Sequence, residues 1–149
     1  MRIDLLKSQE KELLDLFFRV RPEWEKVIGA QIKNADISRA DCISSYFVYF
    51  RANSYVERLN THIQVPLEMI VGGVDVPVND RIGYVNGIQM VRSNIFSVYD
   101  EQAFGVRLHF ADGLLTELEA YSLTGEPLNI FEVAKKQITC IVFESNNHN

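Results

Sequence analysis

The first segment of the chain has the apolar periodicity of an amphipathic helix. Its apolar residues recur at three- and four-residue spacing, namely Leu5, Leu6, Leu13, Leu14, Leu16, Phe17 and Val20. Ser8 is a suitable N-cap, and Pro22 ends the helix because proline interrupts the helical hydrogen-bond pattern. The pattern therefore predicts a helix over about residues 8–21.

After Trp24 the helical period gives way to short apolar runs broken by Gly, Asn and Asp, which is typical of strands and turns. The predicted strands are Val27–Lys33, Ile43–Phe50, Leu67–Val71, Ile82–Asn86, Ile88–Arg92, Ile95–Tyr99 and Ile138–Phe143. Ile130–Lys136 is predicted as one or two helical turns, and Glu144–Asn149 as a frayed tail. The pattern indicates one domain over residues 1–149, with a β-rich body over about residues 26–143. The expected fold class is α+β, an N-terminal helix packed on a mostly antiparallel sheet.

A β-hairpin is predicted over Gly105–Ser122, where apolar and polar residues alternate on both sides of Asp112-Gly113. A three-residue loop, Ala111 to Gly113, is preferred over a two-residue loop because it separates an apolar face from a polar one. It sets Val106 opposite Leu118 and Arg107 opposite Glu117. The polar face then carries Arg107, His109, Glu117, Glu119 and Tyr121.

The charge balance narrows the possible partners. The 149 residues include 15 Lys+Arg and 20 Asp+Glu, for a net charge of −5. The basic residues are scattered, whereas a nucleic-acid binder gathers a basic stripe, so direct nucleic-acid binding is not expected. An acidic surface suits either solubility or a basic protein partner, and charge alone leaves both open.

Cysteine usage and hydropathy favour a cytoplasmic protein. Cys42 and Cys140 are predicted as buried free thiols, with a single disulfide between them as the alternative. The charged N-terminus lacks the apolar region of a signal peptide, and no apolar stretch approaches the roughly 20 residues of a membrane span. A soluble protein with no membrane partner is expected.

The common catalytic and cofactor motifs are missing from the sequence. There is no glycine-rich phosphate loop, no Cys-x-x-Cys and no nucleophile elbow around a serine. His62, His109 and His148 lie far apart and form no pair at ligand spacing. We therefore predict no cofactor, no metal site, no catalytic residues and no enzymatic activity.

Glu117 and Glu119 are the most suggestive pair of side chains, since they project from one strand face roughly 6.5–7 Å apart. Such a pair, with His109, is compatible with acid–base catalysis. It is also compatible with a solvated face on which Arg107 is the cross-strand partner. A third interpretation is docking of a basic protein, with Tyr121 as the anchor.

The segment Gly105–Leu128 resembles the C-terminal signature of a family of small bacterial proteins. The matching features are the Asp-Gly turn, the run Glu-Leu-Glu-Ala-Tyr-Ser and the following Gly-Glu-Pro. Some members of this family resemble immunity proteins of bacterial toxin systems, including contact-dependent growth inhibition. The resemblance covers 24 of the 149 residues. It implies a protein that binds a cognate toxin domain and blocks its active or substrate-binding site.

Together, charge and resemblance predict an immunity protein for a basic toxin domain, a nuclease. The candidate partner-binding residues are Asp100, Glu101, Glu117, Glu119 and Tyr121, with Asp75 and Asp80 behind them. The alternative is a small metabolite-binding or homo-oligomeric domain that uses the aromatic run Tyr46–Phe50, in which one face is left for a partner. The sequence does not decide the oligomeric state.

Overall fold

The N-terminal helix α1 spans Ser8–Val20 in the computed structural model, which describes residues 6–60, 66–92, 97–129 and 138–143. Its apolar stripe is buried, and Pro22 follows its end as predicted. The predicted N-cap is wrong by one residue, because Lys7 occupies that position and Ser8 is the first helical residue. The Lys7 backbone N–H donates to Glu10 Oε1 at 2.8 Å, so the first turn is capped by a carboxylate rather than by a serine hydroxyl.

The segment predicted as strand Val27–Lys33 is helical, and α2 spans Trp24–Lys33. Trp24, Ile28 and Gln31 are its buried side chains, at spacings of four and three residues. This helical period outweighs the β-like appearance of Val27 and Ile28, because burying one stripe against the sheet fixes the conformation. The β-rich body therefore begins at Ala35 rather than near residue 26.

Ten strands and a short 3-10 turn, Val78–Asp80, follow the helices in the described residues. The strands are β1 (Ala35–Asp41), β2 (Ser45–Ala52), β3 (Pro66–Val71), β4 (Val74–Asp75), β5 (Arg81–Val85), β6 (Ile88–Val91), β7 (Ser97–Val98), β8 (Phe104–Ala111), β9 (Leu114–Ser122) and β10 (Ile138–Phe143). Eight of them form one sheet in the order β1-β2-β9-β8-β3-β10-β6-β5, and β4 pairs with β7 in a small ribbon. Only the β10–β6 pair is parallel among the described strands, so the predicted α+β class is confirmed.

Most of the predicted strands are found within one or two residues of their expected bounds. The remaining differences from the predicted strands have simple causes. Strand β1 was not predicted, because Asp36 and Ser38 interrupt its apolar character at the sheet edge. The run Ile43–Phe50 starts late, at Ser45, and Ile95–Tyr99 contains only the short β7 in the described residues. Ile130–Lys136 and the tail 144–149 lie outside the described residues.

The two faces of the large sheet are covered differently. The inner face packs on both helices, where Phe17 and Ile28 join Val48, Val106 and Leu118 in the main core. On the outer face, the β4–β7 ribbon covers the β3, β10 and β6 part of the sheet. A second apolar cluster lies beneath it, made of Ile70, Val74, Val76, Val91, Ala103 and Val142. The remaining outer face, on β2, β9 and β8, carries polar and aromatic side chains.

The β8–β9 hairpin closes with a two-residue turn, not the predicted three-residue loop. Ala111 pairs with Leu114, so Asp112 and Gly113 alone form the turn. Both have positive φ angles, 51° and 80°, as a type I′ turn requires.

A bulge at Thr116 then changes the register of this hairpin. It places Glu117 opposite His109, and the polar side chains of both strands return to one face. The face prediction is therefore confirmed although the register used to derive it is wrong. Arg107 pairs with Glu119, Leu108 with Leu118 and Val106 with Ala120.

Gln31 ties α2 to the hairpin turn. Its buried side-chain amide donates to the carbonyl oxygens of Glu57 and Gly113, both at 2.9 Å, and Leu115 N–H donates to its Oε1 at 2.7 Å. Leu115 lies beyond the residues of β9 that pair with β2. The glutamine thus takes the place of a neighbouring strand.

Cys42 does not match its prediction. It is a free thiol, but its side chain is exposed between β1 and β2 rather than buried. The adjacent Ile43 is also 79% exposed, so the apolar run was misread as interior when it belongs to the turn. The Cys140 side chain lies outside the described set.

Candidate functional site

The β8–β9 hairpin brings one imidazole and two carboxylates together. His109 Nε2 lies 2.9 Å from Glu119 Oε1 and 3.5 Å from Glu117 Oε2. The three side chains are half-buried, with exposed fractions of 43% for His109, 26% for Glu117 and 19% for Glu119. Thr116 Oγ1 donates to the His109 carbonyl at 3.1 Å, which fixes the bulge that makes this alignment. The cluster is thus built into the strand register.

Strand β2 adds two aromatic rings beside the carboxylates. Phe47 pairs with Glu119 and Tyr49 with Glu117 across the β2–β9 ladder. The two rings are stacked, 5.9 Å apart with planes 6° from parallel. Tyr49 is 37% exposed although it is a large side chain in the middle of a strand. We call the surface formed by Phe47, Tyr49, His109, Glu117 and Glu119 the aromatic–acidic face.

Arg107 does not neutralise this face as the sequence suggested. Its Nε lies 3.1 Å from Glu68 Oε2, and Glu68 is fully buried on β3. The guanidinium also lies over the Tyr121 ring, 4.8 Å from the centroid. This cation–π contact and the ion pair hold Arg107 at the boundary between the aromatic–acidic face and the part of the sheet under the ribbon.

Tyr121 packs closely against β8. A Cβ atom on Gly105 would lie 2.5 Å from Tyr121 Cζ, so the ring occupies the space that a side chain at Gly105 would need. Since the ring is also beneath the Arg107 guanidinium, its position is fixed by intramolecular contacts. Tyr121 therefore borders the aromatic–acidic face as a half-buried side chain.

The predicted partner-binding residues divide into two groups. Glu117, Glu119 and Tyr121 lie side by side on β9. Asp75 is exposed on the β4–β7 ribbon, and Asp80 ends the 3-10 turn before β5.

Asp100 and Glu101 connect these groups in the loop after β7. Asp100 accepts hydrogen bonds from Gly73 N and Gln102 N, at 3.3 and 2.9 Å, so its carboxylate holds the loop. Glu101 is exposed, and its carbonyl accepts a hydrogen bond from Thr124 Oγ1 beyond the end of β9. The role of all seven residues in partner binding stays a prediction.

A buried ion pair that sequence reasoning missed fixes α1 to the sheet. Glu10 is fully buried, and its carboxylate accepts hydrogen bonds from Arg39 Nε and Nη2 at 2.6 and 2.8 Å and from Tyr46 Oη at 2.6 Å. Burial opposes ionisation of Glu10, but hydrogen bonds from Arg39, Tyr46 and Lys7 N outweigh it, so its pKa is lowered. Burial and then the bond to Glu10 raise the pKa of Tyr46 to about 12. These hydrogen bonds compensate the cost of burying the Glu10 carboxylate, and they hold α1 against strands β1 and β2.

A cavity of about 180 Å³ opens beside Tyr46. This volume is below the roughly 300–1,000 Å³ of ordinary small-molecule sites. The cavity therefore gives little support to the metabolite-binding alternative. Its lining residues are Lys7, Gln9, Asp41, Ser45, Tyr46, Leu128 and Asn129.

The grouping of one imidazole with two carboxylates was not predicted from the sequence, because paired histidines and cysteines at ligand spacing were the expected sign of a metal site. Among the described residues, His109, Glu117 and Glu119 place one donor atom each within 4.8 Å of one another. Strand alternation predicts that these three side chains share one face. Only the register of the β8–β9 hairpin shows that they are also close to one another.

Comparison with known proteins adds no assignment. No family model, curated protein or solved structure matches this chain. The resemblance to immunity proteins therefore stays a prediction. None of the helices in the described ranges has both the length and the apolar character needed to cross a bilayer.

Proposed function

We propose that this protein is a non-catalytic immunity protein that binds a basic bacterial toxin domain, a nuclease, in the cytoplasm and blocks its active or substrate-binding site. The observation that carries the proposal is the aromatic–acidic face. It presents stacked rings and two carboxylates on a sheet surface that lies opposite the helices.

The aromatic rings supply the apolar part of such an interface. Phe47 and Tyr49 lie on the face of β2 opposite Tyr46, Val48 and Phe50, which are buried in the main core. Aromatic side chains on a regular strand lose little conformational freedom on binding and are enriched in energetically dominant contacts. The rings are thus suited to pack against a partner.

The carboxylates would attract a basic partner to this face and increase its association rate. Glu117 and Glu119 are partly exposed, and the chain as a whole carries a net charge of −5. Nucleases carry basic surfaces because their substrate is a polyanion, so an acidic inhibitor attracts them and suppresses wrong partners. Glu101 lies exposed near the far end of β9 and extends the same charge.

A homo-oligomer formed through this face is the less favourable alternative. A two-fold contact uses the same patch on both copies. With the two-fold axis near Glu117 and Glu119, it would bring these carboxylates of one copy towards those of the other, and like charges in an interface are costly. A partner of opposite charge avoids this repulsion.

The test uses the C-terminal domain encoded directly upstream of this protein. We expect that domain to be toxic in a susceptible bacterium, and coexpression of this protein to restore growth. We expect the purified domain to bind the intact chain. Toxicity without rescue or binding would contradict the proposal.

Charge reversal on the face tests the site itself. Glu117→Lys with Glu119→Lys is expected to weaken binding by at least about 100-fold, mostly through slower association and lost contacts. The matched control is Asp15→Lys with Glu57→Lys, two exposed positions away from this face that change the net charge equally. Equal loss in both variants would point to net charge alone and would contradict the proposed face.

A further inference from the structure

We propose that His109, Glu117 and Glu119 bind a divalent transition-metal ion, with Zn²⁺ as the best-fitting case. This inference goes beyond the proposed function and does not depend on it, since the ion would be bound by the isolated chain. It concerns one imidazole nitrogen and two carboxylate oxygens on adjacent strands.

The donor spacing fits a shared ion. In a tetrahedral zinc site, bonds of about 2.0–2.2 Å place neighbouring ligand atoms about 3.4 Å apart. His109 Nε2 lies 2.9 Å from one carboxylate oxygen and 3.5 Å from the other. All three donors lie within 4.8 Å of one another, so small rotamer adjustments bring them to the required geometry.

The donor chemistry selects the class of ion. One imidazole and two carboxylates suit Zn²⁺, Mn²⁺ or Fe²⁺, whereas Ca²⁺ and Mg²⁺ prefer oxygen donors throughout and Cu⁺ prefers sulfur. The neighbouring cation, Arg107, forms its ion pair with Glu68 and lies over Tyr121. A dication at this position would take the place of the hydrogen bond between His109 Nε2 and Glu119 Oε1, without competition from the Arg107 ion pair.

The scaffold holds the ligands before any ion arrives. Glu117 and Glu119 are two residues apart on β9, and His109 on β8 pairs directly with Glu117. The Thr116 bulge creates this alignment, and its hydroxyl bond to the His109 carbonyl stabilises it. His109 remains 43% exposed, which leaves room for water as a further ligand.

The test is to titrate the purified full chain with metal ions. Calorimetry measures the binding of Zn²⁺, and visible absorption measures the binding of Co²⁺. We expect one ion per chain, with Co²⁺ bands that indicate four- or five-fold coordination. His109→Gln and Glu119→Gln are each expected to weaken binding at least about tenfold. The control variants are Glu101→Gln and the pair His62→Gln with His148→Gln, which should leave affinity unchanged.

Paramagnetic NMR provides a reading on the unaltered protein if a variant fails to fold. Substoichiometric Co²⁺ should shift or broaden the His109 ring signals before those of the other histidines. Absence of Zn²⁺ binding, or binding that follows His62 and His148 instead, would overturn the inference. Because no toxin domain is present, this failure is distinguishable from failure of the proposed function.

Discussion

Replacing Gln31 by leucine tests whether a single side chain joins the helical layer to the hairpin. Gln31 makes three hydrogen bonds, to Glu57 O, to Gly113 O and from Leu115 N. Leucine is similar in size but forms none of them, so the change isolates the polar contribution at a buried position.

The three losses are not equal. Gly113 O still accepts a hydrogen bond from Leu59 N at 2.9 Å, and the bond to Glu57 O is only part-buried. Leu115 N–H loses its partner in a buried site, which costs about 1–3 kcal/mol, and the two weaker bonds add about 0.5–1.5 kcal/mol each. We expect Gln31→Leu to lower the free energy of unfolding by roughly 3 kcal/mol, a large part of the total of about 5–15 kcal/mol.

Urea unfolding of both proteins measures this difference, with the slope checked for two-state behaviour. Gln31→Glu is the informative companion, because a carboxylate accepts from Leu115 N–H but donates nothing to the two carbonyl oxygens. It should be more destabilising than leucine at neutral pH. The control is Lys26→Leu on the exposed side of α2, expected within about 0.5 kcal/mol of the unaltered protein. If Gln31→Leu fell in that same range, the proposed tie would be refuted.

Three further changes test other parts of the structure. Glu10→Gln should cost about 3 kcal/mol at neutral pH. Because the folded pKa of Glu10 is lowered, its contribution is present above the unfolded pKa and lost as pH falls, so urea titrations of this variant should show a flatter acid decline. Tyr46→Phe should cost about 2 kcal/mol. The raised pKa of Tyr46 contributes folding stability that is complete below the unfolded pKa near 10 and is lost as pH rises through about 12, so Tyr46→Phe should lose less stability than the unaltered protein over that range. Equal losses in the two proteins between pH 10 and 12 would contradict this. Gly113→Ala should destabilise more than Gly87→Ala: both have φ of 80°, but of the two only Gly113 has backbone, Leu59 O, in the space that an added Cβ would occupy. Thermal unfolding that shows equal losses would exclude the packing contribution.

The local pattern of apolar and polar residues was sufficient to predict α1 and the two faces of the β8–β9 hairpin. The stripe of Leu13 and Phe17 predicts α1, and alternation around Leu108 and Leu118 predicts the hairpin faces. The segment that forms α2 was predicted as a strand because Val27 and Ile28 are β-branched. Its helical character is indicated only by the spacing of its buried residues Trp24, Ile28 and Gln31.

The candidate site was only partly predictable, because it depends on register. Alternation places Glu117 and Glu119 on one face, but the Thr116 bulge that sets them around His109 has no signal in composition. Predicting that Phe47 and Tyr49 belong to the aromatic–acidic face requires knowledge of the β2–β9 pairing, which joins residues about 70 positions apart in sequence.

The pairing of the buried Glu10 could have been predicted from the helical stripe on which it lies. Glu10 lies one helical turn from Leu13 and Leu14, on the stripe that α1 buries, and a carboxylate on such a stripe indicates a paired charge. Its partner Arg39 lies on β1, which was not predicted, so the pair was not recognised.

The position of β10 in the sheet has a consequence for how the chain folds. Strand β10, residues Ile138–Phe143, lies between β3 and β6 and is their common hydrogen-bonding neighbour. During synthesis the sheet therefore consists of two separate halves until these residues emerge from the ribosome. Until then, β3 and β6 each have an unpaired edge, a template for intermolecular pairing. A nascent chain that stalls before Ile138 therefore exposes those two edges to aggregation.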